Sequence, residues 1–304
     1  MIKSITVTNH LGESLKMELS RPELSGFLIT SGTSGFGPTK ANINMTDMAT
    51  LDGSRFNSAR QDRRDVVLKM EFLDSDEETI EDIRHKSYRF FPPKQNIHIV
   101  VETDNRSVET NGYVANNEPD IFSKKEGCAV TISCEDSYLY SLLENETIFS
   151  GVKAAFSFPF ANRSTSKPLL KMGSILNKTE ELIRYEGDPE IGVIINIHAV
   201  GTATNVIIRN VTARKKMRID TTRLSALTGS TIIAGDTIII DTHDTRRSIT
   251  LIRDGVETNI LNCLDRGTDW LTLKKGDNIF AYEAESGASN LQFYITNKIA
   301  YLGV

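Results

Sequence analysis

Cysteine, tryptophan, histidine and long apolar runs are what this chain of 304 residues has least of. Its three cysteines are too few for a disulfide scaffold, and an odd count cannot pair completely. No apolar run approaches the roughly 18–20 residues needed to span a membrane as a helix. The opening Met1-Ile2-Lys3-Ser4-Ile5-Thr6 has neither the apolar core nor the small-residue cleavage site of a signal peptide. An unexported chain made in a reducing compartment is therefore expected, with no membrane partner. The five histidines, His10, His85, His98, His198 and His243, show no metal-site spacing, so no metal is expected. No Gly-x-Ser-x-Gly elbow is present. Gly32-Thr33-Ser34-Gly35-Phe36-Gly37-Pro38 is rich in glycine but lacks the Gly-Lys-Ser/Thr of a P-loop and the spacing of a dinucleotide fingerprint. It reads as a mobile connecting loop, and no cofactor is expected. A net charge of −5 gives no global sign of nucleic-acid binding.

What is present is a foldable composition, 39% hydrophobic and 25% charged, long enough for two domains with sizeable cores. Charge is divided unevenly. Residues 1–150 hold 16 Lys and Arg against 24 Asp and Glu, a balance of −8, whereas residues 151–304 hold 19 against 16, a balance of +3. Phe156-Ser157-Phe158-Pro159-Phe160 and the polar stretch 161–168 read as a junction, and the domain boundary is placed near residue 150.

One helix is expected, Ser75 to Phe91, with a Ser75/Glu78 capping box and a Pro92-Pro93 stop. The rest is β. Met1–Val7 with Ser14–Leu19, and Asn96–Glu102 with Ser107–Val114, read as hairpins, and Val66–Phe72 as a strand. In Gly127–Cys134 the alternation puts Cys128, Val130, Ile132 and Cys134 on one face. Their terminal sulfurs lie roughly 20 Å apart at about 3.3 Å per residue, so both cysteines are read as core residues. The second half is a series of short strands at regular spacing, the pattern of a sandwich or barrel. They span Gly192–Val200, Asn205–Val211, Lys216–Asp220, Thr237–Asp241, Ser248–Arg253, Trp270–Leu273, Asn278–Glu283 and Leu291–Thr296.

Asp241-Thr242-His243-Asp244 is the densest polar cluster, but its place between two strands makes it a hairpin turn rather than a catalytic pair. Asp52, Arg55, Arg60 and Arg64 stand in a mixed-charge stretch with Asp62, Arg63 and Asp65. That mixture suits a protein interface better than a phosphate track. These four residues, with the first hairpin, are the candidate oligomer interface.

Three stretches then carry a resemblance. They are Gly26-Phe27-Leu28-Ile29 through Asp52-Gly53-Ser54-Arg55-Phe56-Asn57 to Arg64-Asp65-Val66-Val67-Leu68; Asp120-Ile121-Phe122 with Cys134-Glu135-Asp136-Ser137-Tyr138-Leu139-Tyr140; and Glu186-Gly187-Asp188-Pro189 with Gly235-Asp236-Thr237 and Lys275-Gly276-Asp277. In this order they resemble the distal tail protein family of long-tailed phages and phage-tail-like particles. Glu135 and Ser137 stand where that family's ending carries prolines. The resemblance implies a mainly β chain with one helix: a tail-tube-like β-barrel or sandwich over 1–150 and a galectin-like β-sandwich over 151–304. It implies a structural role without catalysis, in a homohexameric ring at the virion tail tip, assembled in the bacterial host cytoplasm. The implied partners are the tail tube protein, the baseplate hub or tail-associated protein and a receptor-binding protein, with DNA only as passing cargo. The acidic first half is consistent with a channel that does not hold DNA. A cell-wall saccharide-binding module is the alternative, marked by a groove with exposed aromatics. A polysaccharide-cleaving enzyme is a further one, requiring paired carboxylates in a cleft.

Overall fold

The structure is a computed structural model that describes residues 1–49, 52–75, 78–154 and 173–304. The expected Phe156–Phe160 aromatics, the 161–168 loop and Asp76-Glu77 lie outside the described residues. The chain is mainly β and divides into two compact units, Met1–Leu142 with Ala300–Val304, and Leu143–Ile299. Residues 300–304, which a boundary at 150 groups with the second half, pack with the first unit.

In the first unit, β1 (Ile2–Thr8), β2 (Ser14–Glu18) and β3 (Phe27–Ile29) are followed by β4 (Ala41–Asp47), β5 (Ser54–Gln61) and β6 (Arg64–Phe72). Then come α1 (Ile80–Phe90), β7 (Asn96–Thr103), β8 (Ser107–Asp120), β9 (Gly127–Cys134) and β10 (Leu139–Ala154). The antiparallel order is β3-β6-β9-β8-β7-β1-β2. Alternation drives it: Val66, Leu68 and Met70 of β6 and Cys128, Val130, Ile132 and Cys134 of β9 all point into one core with Ile97, Ile99 and Val101 of β7. The three cysteines are free and buried, as the spacing predicted for Cys128 and Cys134. A barrel is not what forms. β2 and β3 end the sheet without pairing to each other, so no closed barrel exists among the described residues. The chain between them is a single 3-10 turn at Pro22–Leu24 rather than a strand.

The helix is shorter than its pattern. Ser75 and Glu78 do meet, the Glu78 amide donating to Ser75 Oγ at 3.0 Å, but that is a turn before the helix. The true cap is Thr79, which exchanges hydrogen bonds with Asp82 in a capping box. Ile83 and Phe91 are buried, while Tyr88, expected on the same face, is 42% exposed. Gly26, at φ +80°, makes room for the helix: a Cβ there would stand 2.9 Å from Ile83 Cδ1.

The second unit is a β-sandwich. Its elements are β11 (Gly173–Asn177), β12 (Glu180–Tyr185), β13 (Ile191–Gly192), β14 (Ile194–Ala199), β15 (Thr204–Asn210) and β16 (Lys215–Arg218). After α2 (Thr221–Thr228) follow β17 (Thr237–Asp241), β18 (Ser248–Arg253), β19 (Val256–Asn259), β20 (Thr272–Leu273), β21 (Gly276–Ser286) and β22 (Leu291–Tyr301). One sheet runs β19-β18-β17-β14-β22-β10 with β11 on β10, and the other runs β12-β21-β15-β16. Between them Phe293 packs edge-on to Phe149 and stacks on Tyr282 at 4.7 Å. The buried Ser150 hydroxyl is fully used: it accepts from Tyr282 Oη and the Phe293 amide and donates to Leu291 O. The second helix, α2, departs from the expectation of one. It is eight residues long, buries only Thr221 and Leu224, and is closed by Asp220 at its N-cap and Gly229 in the left-handed region.

Candidate oligomer interface

β4 and β5 pair only with each other, as a two-stranded antiparallel arm. Every residue of β4 is exposed, and every residue of β5 except Gln61. The register aligns Ile43 with Ala59 and Asn44 with Ser58, then Met45 with Phe56, leaving Asn57 as the extra residue of a bulge. The bulge sorts the arm into two faces. Ala41, Ile43, Met45, Phe56 and Ala59 share one, with Gln61 at its root and Asp47 and Ser54 toward the tip. Asn42, Asn44, Thr46, Arg55, Ser58 and Arg60 share the other, where the Asn57 carboxamide donates to Thr46 Oγ1 at 2.6 Å. On the apolar face Ile43, Met45 and Phe56 are 53, 54 and 58% exposed. Sequence reasoning missed this stripe, because the bulge places Phe56 and Ala59 three apart and hides the alternation.

The four predicted interface residues do not come together. Asp52 is exposed at the arm tip beside Gly53, whose φ of +101° makes the turn. Arg55 and Arg60 are exposed on the polar face. Arg64 is fully buried and is no surface contact. Its Nη1 donates to the carbonyls of Gly35 and Gly37, and its Nη2 to those of Ser137 and Leu302 at 2.8 and 2.9 Å. Burial lowers the guanidinium pKa, opposed by Cys134 and Asp136, but Arg remains charged. Around it lies the root of the arm. The Asp62 amide donates to Lys40 O at 2.9 Å, and the Ser137 hydroxyl donates to Asp62 O at 2.7 Å. The glycine-rich loop is consequently pinned rather than mobile. Ser34 bridges to Val67, and Gly35, at φ +95°, passes so close to β6 that a Cβ would stand 2.3 Å from Asp65 O.

The other polar groupings are hydrogen-bonded within the fold. His243 Nδ1 lies 2.6 Å from Asp241 Oδ1 within the β17–β18 turn, and the buried Thr242 hydroxyl donates to Val193 O and accepts from the Val193 amide. Burial would raise the Asp241 carboxyl, but hydrogen bonds from the His243 side chain and backbone hold it below its ordinary value. His98 meets Glu109, and His198 meets Thr237. Trp270 carries the Arg247 guanidinium 5.2 Å above its ring. A cleft of about 660 Å³ in the second unit is lined by Asn205, Thr221, Thr222, Ser225, Glu285 and neighbouring hydroxyl residues, with no aromatic ring among its described lining.

Comparison with known proteins finds similarity to phage tail components. Residues 186–297 match the siphovirus-type tail component, C-terminal domain. The resemblance to distal tail proteins extends in fold along the whole chain. The crystal structure of the SPP1 Dit protein, described as a paradigm of the hub adsorption apparatus in phages infecting Gram-positive bacteria, is matched over 98% of this chain and 100% of its own. The TM-score is 0.62 at 12% identity. The phage P2 baseplate in its activated conformation with Ca matches over 98% of both chains at 11% identity and a TM-score of 0.46. Its form with Sr matches over 97% of both chains at 13% identity and the same TM-score. No curated protein sequence matches the chain.

Proposed function

We propose that this protein is a non-enzymatic connector of the phage tail tip, closing into a homohexameric ring through its N-terminal domain, residues 1–150. The ring joins the tail tube protein to the baseplate hub, passes DNA as cargo, and presents residues 151–304 toward the receptor-binding apparatus. It is assembled in the host cytoplasm.

The observation that carries this is the arm. A two-stranded hairpin alone is marginally stable in water. One that exposes Ile43, Met45 and Phe56 on a single face is stabilised by covering that face. A closed ring does so for every copy with one repeated heterologous contact. The number of copies follows the family resemblance. In this reading the apolar face docks on a neighbouring copy, Asp52 at the tip and Arg55 and Arg60 on the polar face flank the contact, and Arg64 supports it from inside.

Light scattering followed by negative-stain imaging tests the proposal. The expected result is annular particles with a mass near six times 33.8 kDa, formed alone or on addition of tube and hub proteins. A chain that stays monomeric with those partners present overturns it.

A further inference from the structure

We infer that residues 301–304 form a clasp that completes the root of the arm, so that the arm's docking geometry depends on a segment made after the whole second unit. This rests on the reading of the β4–β5 arm as the ring contact and adds a control on it.

The argument begins with Arg64. It is a fully buried cation with no carboxylate in contact, held by carbonyls from three separate segments. A buried charged donor that loses a partner bears an unscreened desolvation cost, so each carbonyl matters. One of the four belongs to Leu302, which is 238 residues away in the chain. The tail makes two further ties. The Val304 amide donates to Phe36 O at 3.0 Å, between the two glycines that Arg64 grips. The Arg106 guanidinium sits 4.6 Å over the Tyr301 ring.

The same segments position both strands of the arm. The loop from Ser34 to Gly37 feeds Lys40, whose carbonyl accepts from Asp62 as the arm closes, and the turn at Ser137 holds Asp62 from the other side. Arg64 opens β6, just past the end of β5. Without the tail, Arg64 lacks a carbonyl and Phe36 lacks the Val304 amide, so the loop leading into β4 keeps its ties to Arg64 and Val67 but is loosened. Every other residue named at the root stands at or before Ser137 in the chain. This tie forms only after the second unit has been synthesised, so a chain that has not reached residues 301–304 presents no fixed arm to a growing ring.

The test compares the full chain with a chain ending at Ala300, and with Arg64→Lys in the full chain, by amide hydrogen exchange on dilute monomer. Truncation leaves the buried Phe293 and Ile295 of β22 in place. The expected result in both variants is roughly tenfold or more faster exchange at the Ser34, Asp62 and Val67 amides, with Val130 and Ile132 of β9 unchanged. No local acceleration overturns the clasp. Acceleration that extends equally to β9 also overturns it, because the tail would then hold the fold as a whole. Ring closure is read separately. If the full chain closes with tube and hub proteins and the truncated chain closes equally well, the control on assembly fails. If the full chain never closes, the ring reading and the control fall together, while the exchange data still decide the clasp.

Discussion

Met45 stands opposite Phe56 across the arm because Asn57 is bulged out of the pairing. The pairing brings two flexible or aromatic side chains to the centre of an exposed face, flanked by Ile43 and Ala59. Burying such a side chain contributes about 1.5–3 kcal/mol, so Phe56→Ser should weaken self-association by about 10- to 100-fold. The same change should leave protomer stability within about 0.5 kcal/mol, since Phe56 is exposed there. Arg55→Ser, on the polar face, should weaken association much less. Sedimentation of the assembled particle and urea melts of the monomer separate the two effects. Equal losses for both variants would move the contact off the apolar face.

That pairing also shows which parts of the chain were legible in the sequence. β6, β7 and β9 alternate without interruption, so their inward residues could be read directly, Cys128 and Cys134 included. The arm breaks its alternation at Asn57, and its second strand read as a charged surface. Its apolar face emerges only from the register. α2 offers one buried aliphatic residue, Leu224, and its remaining signals are caps, Asp220 and Gly229, which a strand-rich context masks. Arg64 reads as an interface residue because it stands in a mixed-charge stretch of the kind that suits a protein surface. Its carbonyl partners at Ser137 and Leu302 are distant in sequence, and no local pattern announces them. The start of α1 was placed early because Ser75/Glu78 and Thr79/Asp82 both satisfy the same capping rule.

Those two competing caps can be separated by experiment. Thr79→Ala removes the oxygen that accepts from the Asp82 amide and should cost about 1 kcal/mol of stability. Ser75→Ala removes only a turn contact to Glu78 and should cost distinctly less. Hydrogen bonds from Thr79 hold the Asp82 carboxyl below its ordinary value, so it supplies stability above the usual carboxylate range that is lost as pH falls through its folded value. Thr79→Ala should reduce that acid sensitivity, measured as the urea midpoint against pH. A larger loss from Ser75→Ala would return the helix start to the earlier cap.

In the second unit, Asp236 is 1% exposed and its carboxylate is gripped by Arg253, with Nε at 2.8 Å and Nη2 at 2.6 Å. Arg253 also donates to Thr231 O and Ser230 Oγ, tying the segment after α2 to β18. Arg253→Ala leaves a buried carboxylate unpaired and should cost about 3–5 kcal/mol. Asp236→Ala should cost a comparable amount, since it also strips the Ile233 amide of its acceptor. The double variant should lose less than the two losses added, because each single change strands the partner of the other. Additive losses in equilibrium unfolding would mean that the pair is not coupled.

The cysteines make a prediction at the other end of the pH scale. Burial pushes the Cys128 thiol from 9.0 up to about 12, opposed by a hydrogen bond with Ser87, and burial raises Cys134 and Cys263 as well. In the unfolded chain these thiols ionise near their ordinary value, while in the folded chain they hold their protons longer. Above pH 9.0 the unfolded state therefore binds fewer protons than the folded one, and stability falls with rising pH. The contribution is fully present at neutral pH and disappears between 9.0 and about 12 for Cys128. Native protein should react slowly with a thiol reagent at mildly alkaline pH, and all three thiols should react at once when it unfolds. Cys128→Ala should flatten the alkaline fall in urea midpoint by the share due to Cys128. Rapid labelling of Cys128 in the native protein, with the alkaline fall unchanged in the Cys128→Ala variant, would mean that its thiol is reached by solvent and that the β9 core opens far more readily than its packing requires.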